Sequence, residues 1–354
     1  MHQNLAEITK LKKEPLSCSA IPEKRVVRKY TNKETMKNMK RIKCLMLGFG
    51  LLISGLLLAQ SKDMLLADPF ILEANGWYYI YGTGAKNGIL VYQSKDLKHW
   101  SGPCGATDGL ALHKKDTGGE RGFWAPEVYK IGSRFLMTFS ADEHIRYAVS
   151  DSPIGPFVQD SIKSYLDEKG IDSDIFMDDN GTPYMFWVRF TGGNVIYGAE
   201  MTKDLKHIKM ETVKRLIDAT DQTWERTTAE PMARVAEGPM VLKHHGLYYL
   251  TYSCNHFMSQ DYAVGYAVAK CPLGPWTRYE GNPILHKHGG YMGTGHHAIF
   301  KTTSGKMYIV YHAHFSDTVV SPRRTLISPI SFIKKGDKEV LKISDKIIVP
   351  QLTK

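Results

Sequence analysis

Asp68, Asp172 and Glu237 each stand eight or nine residues ahead of a glycine that turns a β-hairpin, and Trp124 and His296 stand at the same remove from two more. Gathered in one pocket, these five side chains would do chemistry. Three carboxyls sharing a low-dielectric site repel, so at least one must keep its proton while another stays ionised. A proton-donating carboxyl beside a proton-accepting one, with an aromatic wall, is the equipment for cleaving a glycosidic bond. Taken singly, an Asp-Pro or Glu-Gly-Pro step merely starts a turn, and an isolated Trp or His is ordinary core. The shared position ahead of five turns is what gives the set its meaning.

The elements that must position them are five hairpins. Phe70–Tyr81 turns at Asn75-Gly76, a pair suited to a two-residue turn because both central residues take positive φ. Val128–Ser140 turns at Gly132, Ile175–Trp187 at Gly181, Met240–Tyr252 at Gly246 and Ala298–His312 at Gly305. The turn glycines lie 49 to 65 residues apart, and further β-prone runs follow most hairpins, at Ile89–Gln93, Ile145–Val149, Val195–Glu200 and Tyr262–Ala269. Five repeats of about four antiparallel strands predict an all-β, five-bladed β-propeller, whose inner strands surround one axis and bring the five residues together. The propeller should run from about Met64 to Pro350, and the longer segments Leu216–Val235 and Asn255–Asp261 should shape its rim.

The formal charge of +10 is concentrated in residues 1–60, which hold twelve Lys and Arg against four Asp and Glu. The body is nearly balanced, which speaks against a nucleic-acid partner. Lys37, Lys40, Arg41 and Lys43 precede an apolar run from Leu45 to Ala59, the length of a signal-peptide core and short for a membrane span. The expected organisation is an N-terminal extension over 1–36, disordered or set by an upstream start, a signal peptide over 37–60, and the propeller over 61–354. The mature protein is then secreted or periplasmic, monomeric and without stable membrane contact; an uncleaved anchor is the alternative. Cys104, Cys254 and Cys271 in the body allow at most one disulfide and have no metal-ligand spacing.

These motifs carry a resemblance. Ala67-Asp68-Pro69, Trp124-Ala125-Pro126-Glu127, Ile171-Asp172 before Phe176–Gly181, Glu237-Gly238-Pro239 and Gly293–His297 together resemble glycoside hydrolase family 43, over nearly the whole body. The resemblance implies an inverting enzyme that removes α-L-arabinofuranosyl or β-D-xylosyl residues from plant polysaccharides or oligosaccharides. It implies Asp68 as general base, Glu237 as general acid and Asp172 as the carboxylate that orients the acid and tunes it. Trp124 and Arg323 become substrate contacts, and His296 the holder of a calcium ion; no cofactor is needed for the chemistry. Ser173 stands where the family commonly has proline, which leaves Asp174 as a rival to Asp172, and Arg324 is the neighbour of Arg323 on the opposite strand face.

Other readings carry less. A silent carbohydrate-binding propeller would not need all three acids. An exo-acting galactosidase of the same fold stays open, while a fructan-cleaving enzyme would favour a Trp-x-Asn-Asp-Pro opening that is missing here. WD and kelch signatures do not repeat. His312-Ala-His314 alternates as a strand would, and His312 is read as the end of the inner strand of the fifth blade rather than as a zinc ligand.

Overall fold

A computed structural model describes residues 63–353, apart from 161–165, 167–168 and 222. The extension and signal-peptide assignments lie outside the described residues. Five antiparallel sheets form five blades. The first holds β1 (Ala67–Ala74), β2 (Trp77–Ala85), β3 (Gly88–Ser94), β4 (His99–Ser101) and β5 (Leu110–His113). The second holds β6 (Trp124–Ile131), β7 (Arg134–Ala141) and β8 (His144–Ser150). The third holds β9 (Ile171–Met177), β10 (Pro183–Phe190), β11 (Asn194–Glu200) and β12 (Lys214–Ile217). The fourth holds β13 (Ala236–His244), β14 (Leu247–Cys254), β15 (Ala263–Ala269), β16 (Thr277–Arg278) and β17 (Leu285–His286). The fifth holds β18 (Gly295–Lys301), β19 (Met307–Ala313), β20 (Arg324–Lys335) and β21 (Lys338–Ile343). The expected four strands per blade thus become three in the second blade among the described residues.

The ring closes through the first blade. β22 (Gln351–Leu352) pairs with β4 in parallel, and the Met64 N–H donates to the Pro350 carbonyl at 3.0 Å. Middle strands are buried on both faces because a neighbouring blade packs on each. β7 therefore reads Phe-Leu-Met-Thr-Phe-Ser-Ala with every residue after Arg134 buried. The core is accordingly a set of inter-blade layers. Met185 and Trp187 of the third blade meet Leu136 and Ile145 of the second, and Tyr249 and Tyr266 of the fourth meet Ile309 and Tyr311 of the fifth.

The inner strand of every blade carries the same irregularity. Ala67, Trp124, Ile171, Glu237 and Gly295 pair with Thr83, Ser140, Val188, Ser253 and His312, and the register then slips. The residue after each of these five is left-handed: Asp68 (φ 48°), Ala125 (43°), Asp172 (55°), Gly238 (54°) and His296 (43°). A bulge of this kind bends the strand and re-aims a side chain. A left-handed conformation costs a non-glycine residue about 1–2 kcal/mol. The slip corrects the counting from turn glycines. Asp68, Asp172 and His296 share one structural position, but Trp124 and Glu237 stand one residue earlier in their blades. His312 is corrected too: it lies on β19, the second strand of its blade, opposite the inner-strand residue Gly295.

Candidate active site

The backbone N–H of each left-handed residue needs an acceptor, and the preceding blade supplies it. Thr83 Oγ1 accepts from Ala125 (3.1 Å), Ser140 Oγ from Asp172 (3.2 Å) and Ser253 Oγ from His296 (2.9 Å). His312 closes the ring, its Nδ1 accepting from the Asp68 N–H at 3.2 Å. The third blade has Val188 at this place, which has no acceptor, and the Asp172 carboxylate takes the Gly238 N–H instead at 3.3 Å. Asp172 thereby grips the backbone immediately after Glu237.

Above this ring opens a cavity of about 480 Å³, lined in part by Asp68, Trp124, Asp172, Glu237, His296 and Arg323. All six expected site residues therefore meet in one place, although they leave their strands from two different positions. Trp124 is 40% exposed and forms part of the wall. Both expected rim segments contribute, through Pro231, Met232, Arg234 and Val235 from one and His256 and Phe257 from the other.

The carboxyls differ in environment. Burial would raise Asp68, but Arg323, His296 and His312 outweigh it and hold its carboxyl well below the usual range. Arg323 Nη1 donates to Asp68 Oδ1 at 2.9 Å. Arg324 faces the other way, bonded to Asp63 and to the Phe315 carbonyl, so Arg323 is the arginine of the site. Asp172 moves in the opposite direction. Burial, with Glu237 and Asp68 adding and His296 and the Gly238 N–H opposing, brings it to about 7. Glu237 is held at both oxygens, by Tyr262 Oη at 2.7 Å and by Asn194 Nδ2 at 2.8 Å. Burial lowers His296, but Asp68, Asp172 and Glu237 together raise it above its ordinary value. His312, buried and beside Arg323, is pushed down to about 3 and stays neutral.

Asp174, the rival carboxyl, points elsewhere. Its Oδ2 accepts the Val241 N–H at 2.8 Å, and burial brings it to about 7. Its neighbour Glu127, also raised by burial and by Asp174, accepts from Tyr129. This buried pair does not line the cavity.

A small void of about 10 Å³ lies among Asp68, Glu127, Asp172, Ser173, His296 and His297, with room for about one water. Two buried atoms of these residues, Ser173 Oγ and His297 Nδ1, have no hydrogen-bond partner among the described residues. Calcium takes six to eight oxygens. Among the described residues no three ligand-type side chains converge at this void. Lined by His296 and the carboxyls of Asp68, Glu127 and Asp172, the void has room for a small polar guest.

Tyr262, Asn194 and the ring role of His312 were not singled out from the sequence. Thr83, Ser140 and Ser253 give the missed signal: a small polar residue recurs on the second strand of three blades, and His312 replaces it in the fifth. Asn194 and Tyr262 lie at strand starts outside the hairpin repeat and have no comparable mark.

Five blades around a cavity whose carboxyls differ in proton affinity define a propeller of the glycoside-cleaving class. The chain belongs to the glycosyl hydrolases family 43, which it matches over residues 62–337. It is similar to a solved structure described as an endo-1,4-beta-xylanase from Bacteroides thetaiotaomicron, with 42% identity, a TM-score of 0.76, and coverage of 83% of this chain and 99% of that one. Curated relatives include a beta-xylosidase of Xylanibacter ruminicola, 27% identical over 70% of this chain and 87% of the relative. A beta-D-galactofuranosidase of Aspergillus niger is 25% identical over 77% and 81%.

Proposed function

We propose that this protein is an inverting glycosidase that removes α-L-arabinofuranosyl or β-D-xylosyl residues from plant polysaccharides or oligosaccharides. Asp68 is the general base: it draws a proton from a water, which attacks the anomeric carbon. Glu237 is the general acid: it passes its proton to the leaving oxygen as the glycosidic bond breaks. Asp172 positions Glu237 through the Gly238 N–H. Trp124 stacks against the sugar, and Arg323 keeps Asp68 ionised at the edge of the substrate.

The observation that carries this reading is the opposed treatment of carboxyls in one cavity, Asp68 held well below its ordinary range and Asp172 raised to about 7. Phe190, Met232, His256 and Phe257 add an apolar and aromatic side to the cavity, suited to the face of a sugar ring. Two names among the similar proteins support second readings, internal cleavage of a xylan chain and release of galactofuranose. The proposed enzyme is secreted or periplasmic, a location that the basic residues Lys37 to Lys43 ahead of the apolar run Leu45 to Ala59 support.

Asp68→Ala should lower kcat by several orders of magnitude on every substrate while the protein still melts cooperatively. Glu237→Ala should lose far more on an arabino- or xylo-oligosaccharide than on a p-nitrophenyl glycoside, because nitrophenolate leaves without protonation. Near-normal turnover by the first variant, or equal losses on both substrates by the second, would refute the assigned roles.

A further inference from the structure

At the opposite end of β13 from Glu237 lies a cluster that the glycosidase reading does not use. His244, the last residue of β13, and His245, the first residue of the turn, meet Glu339 of β21 in the fifth blade. His244 Nε2 lies 3.0 Å and His245 Nδ1 2.5 Å from the same oxygen, Glu339 Oε2.

This convergence has a structural cause. Successive side chains on a strand point to opposite faces. His245 escapes that rule because its φ is 46°, and the two imidazoles lie with centroids 3.9 Å apart. The His244 ring is fixed by stacking on Phe332 at 3.7 Å and 4°. Glu339 is fixed through its own backbone, whose carbonyl accepts from Tyr249 Oη at 3.2 Å. The His244 ring is thus held by packing and Glu339 by its backbone, while the exposed His245 ring is aimed at the same carboxylate oxygen by its left-handed backbone. The three ligand atoms lie within 4.8 Å of one another.

We propose that His244, His245 and Glu339 form a surface site for a borderline divalent transition metal, Zn²⁺ or Ni²⁺, which ties the fourth blade to the fifth. Two imidazoles and one carboxylate suit these ions better than calcium or magnesium, which take oxygen. Tetrahedral zinc with bonds near 2.0–2.1 Å sets its ligand atoms about 3.3 Å apart, so Glu339 Oε2 must draw back by about 0.3 Å from His244 and about 0.8 Å from the exposed His245. The ion takes the place of the ring protons now shared with Glu339 Oε2, and solvent completes its shell at the exposed His245. Seven steps along β13, about 23 Å, separate His244 from Glu237. The metal is thus a clamp between blades and has no part in the cleavage.

The test uses the untagged protein, stripped with EDTA and dialysed. Calorimetry with ZnCl₂ and NiCl₂ should give one equivalent of binding, and saturating Zn²⁺ should raise Tm by several degrees while CaCl₂ and MgCl₂ do not. His245→Ala and Glu339→Gln, both at the surface, should each weaken binding tenfold or more. The visible spectrum of the Co²⁺-loaded protein should change in both variants. Aryl-glycoside turnover should be equal in the stripped protein, the metal-loaded protein and both variants. Failure of the wild type to bind either ion at about tenfold molar excess would overturn the proposal. Binding that persists unchanged in both variants would do the same, since the ion would then sit elsewhere.

Discussion

Asp172→Asn separates the two jobs of this carboxyl. The amide keeps an oxygen for the Gly238 N–H, 3.3 Å from Asp172 Oδ2, but carries no titrating proton. In the wild type, burial and the neighbouring Glu237 and Asp68 bring Asp172 to about 7, against an ordinary aspartate near 3.9. Below about pH 4 the folded and unfolded chains both hold the proton, and Asp172 contributes nothing to pH dependence. Between about pH 4 and 7 the unfolded chain releases the proton while the folded chain keeps it, so stability falls as pH rises. Above pH 7 the folded protein carries the full cost of a buried carboxylate, on the order of 4 kcal/mol from the gap between the two values. Asp172→Asn removes that cost. It should melt on the order of 5 °C or more above the wild type at pH 8 and match it near pH 4, while kcat falls roughly a hundredfold or more. Calorimetric melts at both pH values, with turnover on an aryl glycoside, provide the assay. A variant less stable than the wild type at pH 8, or one with the same melting difference at both pH values, would refute the reasoning.

Arg323→Lys loses the guanidinium contact that holds Asp68 low, so the acid limb of the kcat/KM profile should move up by roughly one to two pH units; a limb that stays put would show that Arg323 does not set the charge of Asp68. Tyr262→Phe keeps the ring that stacks on His312 at 5.6 Å and removes only the donor to Glu237. It should lower kcat roughly ten- to a hundredfold with little change in KM or Tm, and unchanged turnover would remove Tyr262 from the positioning of the acid.

The propeller was legible because its hairpins repeat. Five turn glycines, each flanked by apolar and aromatic runs, mark the inner strands, and Tyr-rich second strands follow from burial between two blades. The site was legible as a set, since all six named residues line one cavity. Its phase was not. Distance to the turn glycine varies from blade to blade, and a bulge shifts direction by one residue without leaving a sequence mark. That is why Glu237 and Trp124 were placed level with Asp68, when Gly238 and Ala125 hold the equivalent left-handed position. The choice of Asp172 over Asp174 and of Arg323 over Arg324 also depended on facing, which only the register decides. Tyr262 and Asn194 act through distance in space alone.

The central claim is that Asp68 activates a water which attacks from the face opposite the leaving group. Proton NMR during the first minutes of hydrolysis of p-nitrophenyl α-L-arabinofuranoside or β-D-xyloside reads this directly. The first sugar signal should belong to the anomer opposite to the substrate's, followed by slow mutarotation. Release of the same anomer as the substrate would contradict the claim. So would failure of the folded protein to cleave any of these glycosides, the corresponding galactoside or a xylo-oligosaccharide.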